Sequence, residues 1–489
     1  MSSSPDLLAT DVEQRPRRAG VLHLGLGAFH RAHQMYFFDQ LLEQGHKNWG
    51  VASVNLRSMA PVAALNAQDN VYCRWERGQR ESEVRVIKAV TGSYHFPTQY
   101  ADVMSLFCDP GIRLITVTVS EKGYHFDPTQ KGLNQNDADI QDDHARPERP
   151  RTMPGVLCVG LEMRRIAGAG PITIISCDNY RDNGAVLRAV VTDFAKSHFP
   201  DLLSWIADNV RFPSSMVDGI VPSVRETDRA AFADHASTDD RALVIAEDYM
   251  RWVIQDDFIA ERPPFEDVGV EIVPDVAVFE AMKLLLLNAP HSAISYLGHN
   301  AGFEFIHEAV CEPRLNNALS KLISAELLPI AMRHHKKKSS EYGSRTLDRF
   351  ANPNIAYTTW QVATDGSFKI PERLLPALAA HLKEGRVPDG LALILAAWMR
   401  FVLGRKDSGD RYDVPDPLAP LFAETVCGLE QRPERIVDRL LSIRAIFPPW
   451  VSAHAELKHC ISIHFAGLTD HGTLAWLDII SNAPTGRQQ

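Results

Sequence analysis

The sequence has no run of about 18 consecutive apolar residues, which argues against a membrane-spanning helix. It has no C-x-x-C pair. Its seven cysteines stand apart, at Cys73, Cys108, Cys158, Cys177, Cys311, Cys427 and Cys460. An odd, dispersed set argues against a disulfide framework and a thiolate zinc site, and it suits a reducing compartment. The first eighteen residues, MSSSPDLLATDVEQRPRR, lack an apolar core and carry acids. They read as a flexible leader, not a secretory signal, and the cytoplasm is the expected location. Neither G-x-S-x-G nor a P-loop occurs, and no internal repeat is apparent. Positive charge is in deficit: the formal net charge is −10, which argues against nucleic acid or an anionic membrane as partner. The one basic run, Arg333 to Lys338, reads as a solvated helix end or loop.

What is present is an ordinary globular composition, 45% hydrophobic and 23% charged over 489 residues. That length implies two domains or more. The first half alternates strand-like and helix-like segments. Val21 to Leu24 reads as a strand, Phe29 to Gln44 as a helix closed by Gly45, and Gly50 to Val54 as the next strand. Together they make one βαβ unit. Further strands are expected at Val84 to Val90, Arg113 to Val119, Ile172 to Ser176 and Ala242 to Ala246. Such alternation implies a mostly parallel sheet covered on both faces. Asp127 to Arg151 is polar and aperiodic and reads as a long surface excursion. Beyond about Val276 the segments turn helix-like, so a largely helical C-terminal half is expected.

Candidate chemistry starts at VLHLGLGAFHRAHQ, Val21 to Gln34. Gly25 and Gly27 supply two glycines of G-x-G-x-x-G between a strand and a helix, where backbone N–H groups can face a pyrophosphate. The third place holds His30, which could set an imidazole beside the phosphates. Asn55 and Arg57 follow the second strand. Asn55 can bond a ribose hydroxyl, whereas Arg57 would favour a 2′-phosphate, so the choice between NAD and NADP stays open. Polar clusters follow three more strands: Ser120 to Tyr124, Cys177 to Gly184 and Glu247 to Ile254. In open parallel sheets, ligands gather beyond such strand ends.

The segment Phe279 to Glu304 holds Lys283 among leucines. Such a lysine either extends its charge to water or sits desolvated and able to act as a base. On an α-helix Asn288 lies about 140° and His291 about 80° from it, within a broad face. Pro290 should break or restart the helix near Ala289. HAELKHCISIH offers His454, His459 and His464 at i, i+5 spacing without a zinc-protease pattern. Core or surface histidines, and no metal, are expected there.

The combination GLGAFHRAHQ, TVSEKGY, SCDNYRDNG, FPSSMVDGIVP and KLLLLNAPHS, in this order from about Val21 to beyond Met399, resembles the polyol-specific long-chain dehydrogenases, the mannitol dehydrogenase family. The resemblance implies an α/β fold. An N-terminal Rossmann-type domain would cover residues 1–208 and a mostly helical substrate domain residues 209–489. It implies a metal-independent, NAD-linked oxidation of a secondary alcohol, with NADP not excluded. The family's base falls on Lys283, its carbonyl-polarising amides on Asn179 and Asn288, and its substrate histidine on His291. Asp218 matches an acid near the site, and Glu280 would relay the proton of Lys283. The cofactor set is Gly25, Gly27, Ala28, Phe29, His30, Asn55, Arg57, Ser120, Glu121 and Lys122. The chain departs from the family at Leu285, at Ala289-Pro290 and at Gly219, which bears on substrate identity. TTWQVATDGSFKIPERLL, Thr358 to Leu375, resembles the fructuronate reductase (mannonate oxidoreductase) branch, with Gln361 where polyol enzymes tend to carry arginine. Lys369 or Arg373 would then meet a substrate carboxylate. The expected partner is a small sugar acid or polyol. The alternatives are a mannitol 2-dehydrogenase and a non-catalytic redox sensor; intact Lys283, Asn179 and Asn288 argue against the sensor. Monomer and dimer remain open.

Overall fold

A computed structural model of the chain describes residue 8 and residues 11–429 and 432–482. It divides into two compact units, one ending at Phe279 and the other starting at Glu280.

The first unit is built on a six-stranded parallel sheet. Its strands are β1 (Ala19–Leu24), β2 (Gly50–Asn55), β5 (Val90–His95), β6 (Leu114–Val117), β9 (Ile172–Ser176) and β10 (Val210–Arg211), in the order β10-β9-β6-β1-β2-β5. All neighbours pair parallel. From β1 the chain winds one way through β2 and β5, and from β6 the other way through β9 and β10. The order therefore reverses between β1 and β6, where a doubly wound sheet opens its binding crevice. Both faces are covered, and alternation along the strands feeds two cores. Leu22, Leu24, Ile115, Val117, Ile172 and Ile174 point to one face. Val21, Leu114 and Ile175 point to the other. Helices Met153–Ala167 and Asn183–His198 bury Val156, Val190 and Phe194 against the first set. Helix Gln34–Glu43 buries Phe38 and Leu41 against the second.

Two three-stranded sheets complete the unit. One joins β12 (Val244–Ala246), β3 (Tyr72–Arg77) and β4 (Ser82–Ile87); the other joins β11 (Ser215–Asp218), β13 (Arg251–Gln255) and β14 (Glu271–Val273). The strand expected over Val84 to Val90 is thus two strands in different sheets, because the chain bends between Ile87 and Val90. The Ala242 to Ala246 strand pairs with β3 and does not join the main sheet. The helix expected from Phe29 to Gln44 is two, Ala28–Ala32 and Gln34–Glu43, interrupted at His33 with φ −101° and ψ −77°. The excursion after Asp127 is partly regular: β7 (Phe126–Asp127) pairs with β8 (Gly132–Leu133), and Ala138–Ala145 is a helix capped by Asp137, whose side chain accepts from the Asp139 N–H. Of the expected leader, residues 1–7, 9 and 10 lie outside the described residues. The part after them is tied down, since Arg15 donates to the Asp69 and Val90 carbonyls at 2.9 Å each.

A boundary at residue 208 would fall inside the first unit, which continues through β11 to β14. The change to helical texture near Val276 coincides with its end. The second unit is helical, with two isolated bridges, Phe305 to Thr358 and Arg405 to Arg411, in place of sheets among its described residues. Helix Asp389–Phe401 is buried along Leu391 to Phe401 and packs on helix Ala455–His471.

The sequence from Ala277 to Asn300 shows no helical break. An α-helix, Ala277–Lys283, passes into a π-helical turn, Leu284–Asn288, and then into helix Ala289–Asn300. Asn288 and Ala289 keep helical angles, φ/ψ −70°/−37° and −68°/−50°. Pro290 has no N–H to donate to the Leu286 carbonyl, and in an α-register its ring would crowd that group. The wider turn resolves the conflict. The Ala289 N–H reaches back five residues to the Leu284 carbonyl, and the Thr346 hydroxyl donates to the Leu286 carbonyl at 2.7 Å.

Candidate active site

At the switch point of the first unit the chain leaves β1 and turns over the end of β2. The Gly25 and Leu26 N–H groups both donate to the Val54 carbonyl, at 2.8 and 3.0 Å. Gly25 has φ +111°, and a Cβ there would overlap the Thr118 carbonyl oxygen. Glycine is therefore required both by backbone angle and by the close approach of the β6 end. At Gly27 a Cβ would meet only the Gly25 oxygen, at an ordinary 3.7 Å, so neither backbone angle nor packing within the protein requires glycine there. Gly27, Ala28 and Phe29 are part-exposed at the head of the helix.

His30 is elsewhere. It is fully buried and its ring stacks on His23, with centroids 3.3 Å apart and planes 6° from parallel. Its Nε2 lies 3.2 Å from Ser53 Oγ. The expectation that it lines the phosphates is corrected: a flat imidazole lying on another occupies the layer between helix and sheet, where the usual third glycine permits close packing. Burial pushes the His23 pKa down to about 3. Burial, and then the neighbouring His23, hold His30 well below its ordinary value. Both rings are neutral. Since the Gly25 carbonyl can only accept, His23 Nε2 donates to it at 3.1 Å, which leaves Nδ1 to accept from the Thr116 hydroxyl at 2.8 Å.

Asn55 is also used differently from expectation. Its amide donates to the Leu26 carbonyl at 2.8 Å, and its oxygen accepts from the Arg57 and Ser58 N–H groups at 3.0 and 2.7 Å. It binds the glycine turn to the loop after β2, because an asparagine at a strand end readily closes such a turn. Arg57 is left exposed beyond it.

After β6, Ser120 takes φ +69° and ψ +163°, a region that essentially only glycine occupies. Asp178 holds it there. Its carboxylate accepts from the Val119 and Ser120 N–H groups at 3.0 and 3.1 Å and from the Tyr124 hydroxyl at 2.9 Å. Burial pushes the Asp178 pKa up to about 6 against the pull of these donors. Ser120, Glu121 and Lys122 thereby stand in an exposed turn at the end of β6. Asn179 is exposed just after β9. Asn183 braces that segment: its amide donates to the Asp178 and Ser215 carbonyls at 2.9 and 2.8 Å. Asp218 ends β11, fully buried, opposite Arg251. A side chain at the following Gly219 would meet Met250 Sδ at 2.7 Å, so a larger residue there requires the Met250 side chain to move. The third polar cluster does not stand at the main sheet's edge. Its Glu247 follows β12 and accepts from the Ile220 N–H at 2.6 Å.

In the second unit, Glu280 and Lys283 lie buried on one helix, and Asn288 lies buried at the end of the π-turn. Hydrogen bonding from i to i+5 puts more residues into each turn than an α-helix does, so the π-turn narrows the angle of about 140° that an α-helix would set between Lys283 and Asn288. His291 stacks on Phe350, with centroids 4.8 Å apart, and meets the edge of Tyr357 at 5.1 Å. Its Nε2 is buried without a hydrogen-bond partner. Burial lowers its pKa well below the usual value, and Arg373, Lys369 and Arg349 act in the same direction. Three cations thus lie within electrostatic reach of one neutral imidazole. Arg373 donates to Ser292 Oγ at 3.0 Å; Lys369 donates to the Val362 carbonyl at 3.0 Å. The sequence gives no sign of Arg349, which sits on the amphipathic helix Lys336–Phe350 among other charges. Gln361 accepts from the Thr358 N–H at 3.2 Å as the third residue of a capping box. Its side chain is spent on starting a helix.

Among the described residues, His464 is buried, lies 2.9 Å from Asp389 Oδ1 and accepts from Trp476 Nε1 at 3.2 Å. His454 caps its helix. The three histidines of that segment therefore have separate, local partners or exposure and form no common cluster.

The mannitol dehydrogenase Rossmann domain model matches residues 19–267, and the mannitol dehydrogenase C-terminal domain model matches residues 275–462. The chain belongs to the mannitol dehydrogenase family. It is 36% identical over 457 residues to the uncharacterized oxidoreductase YdfI of Escherichia coli (strain K12), covering 93% of this chain and 94% of that one. It is 33% identical over 456 residues to the D-mannonate oxidoreductase of the same organism, covering 92% and 93%. The solved mannitol 2-dehydrogenase of Pseudomonas fluorescens, a ternary complex with NAD and D-mannitol, superposes with a TM-score of 0.90 at 32% identity over 98% of both chains. As a mannitol dehydrogenase family member the chain is an oxidoreductase acting on secondary alcohol groups. No helix among its described residues is long and apolar enough to cross a membrane.

Proposed function

We propose that the chain interconverts a secondary hydroxyl of a sugar acid and the matching ketone with a nicotinamide dinucleotide, and that fructuronate and mannonate are its substrate pair. The observation that carries the substrate class is that Arg373, bonded to Ser292 Oγ at 3.0 Å next to His291, acts electrostatically on that imidazole together with Lys369 and Arg349. A desolvated carboxylate requires charge-assisted partners, whereas a neutral hydroxymethyl end does not. The relative named D-mannonate oxidoreductase supports the same reading.

The first unit suits the dinucleotide. The Gly25 turn admits no side chain, Gly27 faces open space, and the Thr118 hydroxyl beside them is buried without a partner. Gly25, Gly27, Ala28 and Phe29 would hold the pyrophosphate, and Ser120, Glu121 and Lys122 would border the nicotinamide half. When bound, the nicotinamide supplies the hydride acceptor or donor at the carbinol carbon. The remaining work falls to side chains. Lys283 takes the hydroxyl proton in oxidation and returns it in reduction. The Asn179 and Asn288 amides donate to the oxygen as it gains negative charge. Glu280, one turn before Lys283, passes the proton toward water. His291 Nε2 orients a substrate oxygen, and Asp218 keeps its role as an acid of the site.

The test is an Arg373→Gln variant assayed with reduced cofactor on fructuronate and fructose. Its kcat/KM on fructuronate should fall by about tenfold or more, with a smaller change on fructose. Equal losses on both would remove Arg373 from carboxylate recognition. The polyol reading is the second, supported by the mannitol-bound neighbour; it takes over where mannitol is oxidised as efficiently as mannonate.

A further inference from the structure

We infer that this chain recognises the 2′-phosphate of an adenine dinucleotide and uses NADP(H) at least as well as NAD(H). The inference rests on the dinucleotide reading above and concerns the adenosine end of the same ligand. With the pyrophosphate at the Gly25 turn, the adenosine ribose lies past the end of the adjacent strand, β2. Sites that select NAD place an aspartate or glutamate there, which bonds the ribose hydroxyls and repels a phosphate. This chain has no carboxylate from Asn55 to Gln68; the first acid after β2 is Asp69. Asn55 spends its amide on the backbone, and in doing so it fixes the N–H of Arg57 at 3.0 Å.

A cleft of about 930 Å³ opens at that point, bounded by the ends of β2 and β5 and by the segment around Arg146 to Thr152. Four arginines are among its lining residues: Arg57, Arg146, Arg149 and Arg151. Phe96 and Tyr100 line it as well and offer aromatic surface for a base. Their rings lie 5.5 Å apart, and the Arg149 guanidinium lies 5.9 Å from the Tyr100 ring centre. The Tyr100 hydroxyl donates to the Glu148 carbonyl at 2.6 Å, which ties the arginine-bearing segment to the helix after β5. Three carboxylates also reach the cleft. Asp143 is committed to shaping that segment, since it accepts from the Arg151 and Thr152 N–H groups and the Thr152 hydroxyl at 2.7, 2.9 and 2.6 Å. Asp139 and Asp142 stand exposed. Four cations thus face two uncommitted acids. Arginine binds phosphate bidentately, and a phosphomonoester dianion is the ligand that this balance favours.

The experiment is direct titration of the purified full chain with NADH and with NADPH, followed by fluorescence, and with 2′,5′-ADP against 5′-ADP by calorimetry. NADPH should bind no more weakly than NADH, and 2′,5′-ADP more tightly than 5′-ADP. Arg57→Glu should lower the NADPH-to-NADH affinity ratio by about tenfold or more. Arg149→Ala, checked for native circular dichroism, should lower it in the same direction. NADH binding tenfold or more tightly than NADPH, or a ratio unmoved by both variants, would overturn the 2′-phosphate subsite and leave the dinucleotide reading standing. Binding of neither dinucleotide would overturn both.

Discussion

At the scale of single residues, function separates from structure in ways that motif reading only half captures. Lys283, Asn288 and His291 stand out as candidates in the sequence because a lysine among leucines followed by polar side chains has few structural uses. His30 and Asn55 were legible as important but not as to role. A sequence does not tell whether an imidazole faces a ligand or the layer beneath it, and here a second histidine seven residues earlier decides the matter. In the proposed mechanism Lys283 is the base, so Lys283→Ala should lose about 10²–10⁴ in kcat while dinucleotide affinity, read by fluorescence, changes little. Near-normal turnover would contradict its role. The His23–His30 stack carries a pH dependence of stability. With a folded pKa of about 3 against an ordinary 6.5, His23 binds fewer protons folded than unfolded between those limits. Its contribution is therefore present above pH 6.5 and lost as pH falls toward 3. Denaturant melts at pH 7 and pH 5 should show a larger acid-induced loss in wild type than in His23→Gln. The comparison is needed because burial raises the Asp39 and Asp178 pKa values to about 6, and these groups act in the opposite direction. Equal losses would mean that His23 titrates normally.

At the scale of elements, the π-turn is the feature that pattern reading misses. The periodicity of FEAMKLLLLNAPHS marks a helix and Pro290 marks a fault in it, but the fault is absorbed by widening one turn. A second π-turn, Leu322–Leu327, likewise precedes a proline, Pro329. At these two prolines the helical register shifts and the helix continues. In the first case the register shift narrows the angle between Lys283 and Asn288, and the Thr346 hydroxyl donates to the Leu286 carbonyl within the same turn. Thr346→Val keeps the shape and deletes the hydroxyl. It should cost about 1–3 kcal/mol, since a buried carbonyl loses a partner, and it should lower kcat because the π-turn carries Asn288. Thermal and denaturant melts with turnover check both; wild-type stability and turnover would show that the carbonyl does not depend on Thr346. Strand assignments failed where local chemistry was ambiguous. VRVIKAV alternates throughout, yet Ile87 ends one sheet's strand and Val90 begins another's, because strand pairing is decided by distant partners.

At the scale of the molecule, the parallel-sheet unit and the helical unit were both legible, from β-branched runs separated by helices and from the loss of such runs after Val276. The extent of the first unit was less so. Strands β11 to β14 follow residue 208, yet they pair among themselves and with β3, and pairing over such sequence distances leaves no local mark. The proposed substrate class draws on a similar convergence, since Arg349 from one helix and Lys369 and Arg373 from another all act electrostatically on His291. The measurement that tests the account most directly is the ratio of kcat/KM for fructuronate to that for fructose, on the wild-type chain with one reduced cofactor under one set of conditions. A site holding those cations for a carboxylate should favour fructuronate by on the order of a hundredfold or more, the discrimination expected when a charged partner is otherwise left unpaired. Reduction of fructose at least as efficient as that of fructuronate would contradict the account.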